Sequence, residues 1–158
     1  MVQVGLGVPM PMLAPVTATW TAPFAAYLIF LSNRIVYQRL KHKALMGDRL
    51  ATTTGAPDDD PLYLATRTHA NFLETVPVTL GVAALAELNG ANRRWLHGAL
   101  ATMFVLRVAH LELGIMGTNA SGRKSAGWGR IPGYYGTQAV LLGLAGYTAW
   151  IVRGYWGF

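Results

Sequence analysis

Arg67-Thr68-His69-Ala70-Asn71-Phe72-Leu73-Glu74-Thr75-Val76-Pro77 carries a full positive and a full negative charge into a segment greasy enough to cross a membrane. Arg67, Asn71 and Glu74 stand at i, i+4 and i+7 and so share one face of a helix. Charged groups are costly in hydrocarbon, so ionisable residues inside a span face a bundle interior and mark a site. The composition agrees with a membrane setting. Of 158 residues, 53% are hydrophobic and only 13% charged, against about 25% charged in a soluble domain. Such a chain cannot cover itself with polar surface.

Working outward, four apolar segments emerge, over residues 16–45, 61–88, 93–116 and 131–152. The expected fold is all-α, a transmembrane four-helix bundle forming a single integral membrane domain over residues 1–158. A span needs roughly 20 residues at about 1.5 Å each. Segments one and four are expected to qualify on hydrophobicity alone, segments two and three only if their charges are sheltered. Asp60 reads as the N-cap of segment two and Pro61 as its first helical residue. In the turn Leu88-Asn89-Gly90-Ala91-Asn92, Gly90 suits a left-handed position and Asn92 the next N-cap. So short a connection makes segments two and three antiparallel neighbours. Residues 47–60 read as a solvated loop. Its three consecutive aspartates do not converge on one ion, so no metal site is expected.

The net charge is +6, yet nucleic acid is not the implied partner. The cations lie between apolar segments, which is the pattern of membrane topology. Eight stand on one side (Arg34, Arg39, Lys41, Lys43, Arg49, Arg123, Lys124 and Arg130) and three on the other (Arg93, Arg94 and Arg153). The excess places both termini outside and the two basic loops in the cytoplasm. The first 33 residues carry no charged side chain, so the basic start of a cleavable signal is missing. The chain has no cysteine, which excludes disulfides, thiolate catalysis and zinc–thiolate sites.

With that orientation, Arg39, Arg67, Asn71, Glu74, Arg107, His110 and Arg123 can line one pocket open to the cytoplasm. Several arginines with one carboxylate suit a small ligand that is mostly anionic but carries one amine, because guanidinium matches carboxylates in a bidentate fork. The competing view is that Arg67–Glu74 or Glu74–Arg107 are ion pairs that only hold helices together. His69 is two residues from Arg67, points to another face and is expected to pack. A haem between His69 and His110 is disfavoured for the same reason. Arg34 and the lysines of the first loop are expected to meet lipid headgroups, and Glu112 to be a surface or inter-subunit charge. Pro77 frees the Leu73 carbonyl and is a place for a kink. Trp20, Trp95, Trp150, Tyr155 and Trp156 read as an interfacial belt. Gly136, Ala139, Gly143 and Gly146 form a small-residue seam for close helix packing, within a subunit or between subunits.

The pattern Arg67-x-His69-x-Asn71-x-x-Glu74-x-x-Pro77 resembles the signature of the membrane-associated proteins in eicosanoid and glutathione metabolism, the MAPEG family. Arg39-Leu40-Lys41-His42-Lys43-Ala44 looks like the basic end of that family's first helix. Arg107-Val108-Ala109-His110 resembles its third-helix motif, closest to prostaglandin E synthase. Arg123 stands about where the family has the arginine facing the glutathione sulfur. The resemblance runs from Tyr27 to Trp150, and the Gly47-Asp48 and Tyr135-Gly136-Thr137 elements look like the small bacterial branch. It implies a homotrimer in a bacterial inner membrane, with the active site facing the cytoplasm. It also implies glutathione as co-substrate, membrane lipids as surroundings and a lipophilic small molecule as acceptor. Arg39, Arg67, Asn71, Glu74, Arg107 and His110 would then bind glutathione and Arg123 would stabilise its thiolate. The implied activity is that of a glutathione transferase, or a peroxidase. The alternative is a non-catalytic membrane protein holding a lipid or an anionic metabolite, as one family member presents lipid to another enzyme. Two departures stand out: Gly114 replaces a tyrosine common after the third-helix histidine, and Ala70 replaces an arginine found in some relatives.

Overall fold

A computed structural model describes residues 2–4, 8–10, 12–50, 59–120, 122, 125 and 127–157. It has four long helices: α1 (Pro15–His42), α2 (Pro61–Leu88), α3 (Arg93–Val108) and α4 (Arg130–Ile151). The chain continues from α3 without a break as a π-helical segment, Ala109–Ile115, and a short 3-10 turn, Arg153–Trp156, follows α4. Ahead of the bundle, strands β1 (Val2–Val4) and β2 (Val8–Met10) pair antiparallel with Val2 opposite Met10. Nothing in the hydrophobic pattern announced that hairpin. The protein is an all-α four-helix bundle.

The helix starts follow from side-chain chemistry. Asp60 is buried and uses both carboxylate oxygens. Oδ1 accepts the N–H groups of Leu62 and Tyr63 at 2.9 and 3.1 Å, while Oδ2 accepts that of Leu50 at 2.7 Å. One residue therefore caps α2 and ties Leu50 to its start. Pro61 follows, where its missing N–H leaves no intrahelical bond unmade. At the far end Gly90 has φ +85°, and Asn92 Oδ1 accepts from Arg94 and Trp95 at 2.9 and 3.4 Å. α1 solves the same problem differently. Its cap residue, Ala14, offers no side-chain acceptor. Glu87, near the end of α2, supplies it: Oε1 accepts Val16 N–H at 2.8 Å, and Oε2 accepts the N–H and hydroxyl of Thr17 at 2.8 and 2.9 Å. A carboxylate at a helix N-terminus is also favoured by the helix dipole. α1 stops at His42, short of Leu45, because Lys43 turns left-handed at φ +53°.

α2 and α3 touch each other and both outer helices, while α1 and α4 make no contact and occupy opposite corners. The core between α1, α2 and α3 is aromatic. Phe24 meets Phe104 edge-on at 5.3 Å and Phe72 at 6.2 Å. Trp20 joins them 6.3 Å from Phe104, and its indole N–H donates to His97 Nδ1 at 3.1 Å. Trp20 is thus a packing residue as well as a marker of the helix end, while Trp95 and Trp150 stay exposed.

α2 and the continuous Arg93–Ile115 helix are the two that are long and apolar enough to cross a membrane. Only 33% and 39% of their most apolar stretches are buried, whereas a core helix of a soluble protein is mostly covered. Apolar side chains such as Ile29, Val78, Leu85, Val105 and Leu142 face outward instead, as a lipid-facing surface requires. α1 and α4 fall short of that apolarity, which reverses the sequence expectation. Tyrosines, glycines and hydroxyl residues dilute α4, and alanine, threonine and proline dilute α1. The small-residue seam divides: Gly136 abuts Leu106 within the subunit, and Gly143 and Gly146 face open space.

Candidate functional site

Arg107 ends α3 with its side chain 1% exposed, so it must find partners. Nη1 donates to Asn71 Oδ1 at 2.6 Å and Nη2 to Thr137 Oγ1 at 3.0 Å, tying α2, α3 and α4 together. With Oδ1 committed, the Asn71 amide keeps its N–H groups to donate. One turn on, His110 Nδ1 lies 2.9 Å from the Arg130 carbonyl oxygen. A carbonyl only accepts, so Nδ1 carries the proton and Nε2 is left as the ring's acceptor. This closeness depends on glycine. A Cβ on Gly133 would sit 2.5 Å from His110 Cβ, and one on Gly114 would sit 2.7 Å from Arg130 Cα.

Between α2, the π-helical segment and the start of α4 lies a cavity of about 380 Å³, a size suited to a small molecule. Arg67, Asn71, His110, Ser125 and Arg130 supply its polar wall, and Tyr63, Leu64, Ile115, Ile131, Tyr134 and Tyr135 its apolar wall. Arg130 is braced by Ser125, whose backbone oxygen and hydroxyl both face Nη1. A groove of about 800 Å³ between α3 and α4 is larger, running past Arg94, Trp95, Ala99, Gly143, Tyr147 and Trp150. Its lining is mainly apolar and has no carboxylate or imidazole for acid–base chemistry.

Of the seven residues expected to converge, Arg67, Asn71 and His110 line the cavity. Arg107 stands behind Asn71 and orients it. Arg39 is turned to the chain after α1, donating to the carbonyls of Leu45 and Gly47 at 3.4 and 3.0 Å. Glu74 is exposed on α2 and does not line the cavity. Neither expected pairing of Glu74, with Arg67 or with Arg107, is among the ion pairs. Arg123 lies outside the described residues. Arg130, counted in sequence only as a topology charge, is the cation this part of the chain brings to the wall. Its sequence signal was its place at the very start of an apolar segment. Thr137 stood in the Tyr135-Gly136-Thr137 element of the resemblance, but nothing in the sequence assigned it to Arg107.

A second polar cluster corrects two expectations. Arg34 Nη2 meets Glu112 Oε1 at 2.6 Å, and the Tyr27 hydroxyl donates to the same oxygen at 2.6 Å. Arg34 is therefore not a headgroup contact, nor is Glu112 a free surface charge. Glu112 is the lone acid of segment three and Arg34 the first charge of segment one; in an apolar setting such charges pair. The histidines diverge. His69 Nε2 lies 3.1 Å from Ser32 Oγ on α1, while His110 turns to the Arg130 carbonyl, so they do not converge on a haem.

Compared with individually curated proteins, the chain has no match. Compared with protein families, it matches the MAPEG family over residues 17–150. That match runs from the first turn of α1 to the last turn of α4 and includes every residue of the polar wall just described, and on it the protein belongs to the MAPEG family, the membrane-associated proteins in eicosanoid and glutathione metabolism.

Proposed function

We propose that the protein is a membrane-bound glutathione transferase whose cytoplasm-facing cavity holds glutathione for attack on a lipophilic electrophile. The family's general habit is glutathione binding by membrane trimers. The observation that carries the proposal is the cavity itself, where Arg67, Asn71, His110 and Arg130 meet. Glutathione brings two carboxylates, one amine and one thiol. Arg67 offers a fork for a carboxylate. The Asn71 amide donates, held in register by Arg107, and His110 Nε2 accepts. Arg39 and Glu74, away from the cavity in one chain, complete the site across a trimer interface, Glu74 taking the amine.

A thiol of pKa about 8.5 is only partly ionised at neutral pH, and a neighbouring cation favours the thiolate. We assign that cation to Arg130 because it lines the cavity. Arg123, to which the resemblance gives the role, lies seven positions earlier in the same connection and is the comparator. The sulfur then forms a C–S bond, the leaving group departs with the electron pair of its bond to carbon, and the thiol proton passes to water.

The test uses one detergent-solubilised sample, with calorimetric glutathione binding, conjugation to a generic aryl halide and the particle mass. Arg130→Ala is expected to keep binding and lose roughly 10²–10³-fold in kcat, the usual cost of removing one anion-stabilising donor. An unchanged rate there with a loss in Arg123→Ala moves the role to Arg123. No glutathione binding sinks the proposal, and a monomeric mass sinks the shared site. The second function, a non-catalytic binder, draws on the missing hydroxyl at Gly114, and binding without turnover on a broad electrophile panel would favour it.

A further inference from the structure

Glu112 belongs to the same π-helical stretch as His110, yet it faces the other way. Its Oε1 accepts from Tyr27 and Arg34 of α1, both at 2.6 Å. The Arg34 guanidinium also lies 4.7 Å over the Phe30 ring. The Arg34 and Glu112 side chains are 14% and 31% exposed, so water competes little for the pair. From the opposite side the stretch is held by backbone. Gly127 N–H donates to the Gly114 carbonyl at 3.1 Å and Gly129 N–H to that of Leu113 at 3.3 Å. His110 Nδ1 donates to the Arg130 carbonyl at 2.9 Å. The stretch Ala109–Ile115 is thus gripped between α1 and the approach to α4.

A π-helix is rare, and here it forms the last turns of the helix that begins as α3, ahead of the bend at Met116. Tightening it to α geometry would turn α3 and the chain after Ile115 about 100° against each other, with a shift of about 1.5 Å. Such a slip carries His110 off the cavity wall and breaks its bond to Arg130. It also requires Glu112 to leave both α1 partners, stranding the Arg34 charge in apolar surroundings. The geometry points to Tyr27, Glu112 and Arg34 as a lock on the π-helical register. They touch no cavity atom and act as positioning residues for His110 and Arg130. The functional consequence rests on the glutathione site proposed above; the register lock itself does not.

The test uses the full chain in detergent or nanodiscs. Glu112→Gln, Tyr27→Phe and the reversal Arg34→Glu with Glu112→Arg are compared with the parent. Two properties are read: the ring nitrogen resonances of His110, identified by their absence in His110→Gln, and the glutathione affinity with kcat and KM. Glu112→Gln is expected to move the His110 resonances and weaken glutathione affinity about tenfold, within the range a 1 Å misplacement produces. Tyr27→Phe moves them the same way by less, and carries the test if Glu112→Gln does not fold. The charge reversal restores both properties toward the parent. Unmoved His110 resonances in a folded Glu112→Gln or Tyr27→Phe protein overturn the lock. A reversal as impaired as the single change overturns it too. If the parent binds no glutathione, the functional reading fails while the His110 resonances still decide the lock.

Discussion

Gly114→Ala is the sharpest probe of how the cavity is built. A Cβ there would lie 2.7 Å from Arg130 Cα and 2.8 Å from Arg130 N. Non-bonded carbons rest at about 3.5–4.0 Å, so the start of α4 must retreat by roughly 1 Å. Both obstructing atoms are backbone, and no rotamer change relieves them. Three bonds span the same gap: Gly127 N–H to the Gly114 carbonyl at 3.1 Å, Gly129 N–H to that of Leu113 at 3.3 Å, and His110 to the Arg130 carbonyl at 2.9 Å. A retreat of that size stretches all of them beyond useful range. Overpacking of this kind costs about 1–3 kcal/mol, and a displaced catalytic group roughly a hundredfold in rate. Thermal unfolding in detergent and kcat/KM for the aryl halide read the two effects. Gly114→Tyr, which installs the residue that the family resemblance suggests, fares worse than alanine for the same reason. An alanine variant that melts with the parent and turns over undiminished shows that the contact is slack, and the account of the site by close backbone approach fails with it.

Two further changes test the helix starts. Asp60→Ala removes acceptors from the N–H groups of Leu50, Leu62 and Tyr63. A loss of about 2 kcal/mol is expected, at the upper end of capping costs, and amide exchange at Leu50, Leu62 and Tyr63 should quicken; an unchanged melting midpoint argues against the cap. Glu87→Ala uncaps α1 from a neighbouring helix, with an expected loss of about 1–2 kcal/mol and faster amide exchange at Val16 and Thr17. Fraying confined to α2 would show that the cross-helix bonds contribute nothing.

The helix starts were legible because capping is local. Asp60 before Pro61, and Asn92 after Gly90, carry their instructions within a few residues, and both cap as their types dictate. Glu87 was not legible in that sense. It caps α1 from 70 and 71 positions away, and nothing near Ala14 announces it. The passage from α3 into the π-helical stretch had no local signal either. It is fixed by the glycine-rich return of the chain and by Glu112 reaching α1, contacts that only the packed bundle creates. Apolarity misled for α1 and α4 because residue count stood in for composition: aromatic and small residues face lipid comfortably while lowering the mean.

The site divides along the same line, and the cost of charge in hydrocarbon explains how. That cost forces each buried ionisable group to find a partner without saying which. Arg107 takes Asn71 and Thr137, Arg34 takes Glu112, and Glu87 takes a helix terminus. Two of these three pairings do not follow from charge pattern, since they use neutral or backbone groups. Arg67 and Glu74, the charges that first marked α2 as a site, stay exposed on the single chain. A carboxylate facing hydrocarbon at mid-helix costs about 2.5–3.5 kcal/mol in a bilayer, a large share of the stability of a small domain. Glu74 lies within electrostatic reach of Arg107 but is not among that residue's bonded partners, which leaves room for a partner from outside the chain. An amine on the ligand and an arginine such as Arg39 from an adjoining subunit are the groups that the proposed trimer brings there.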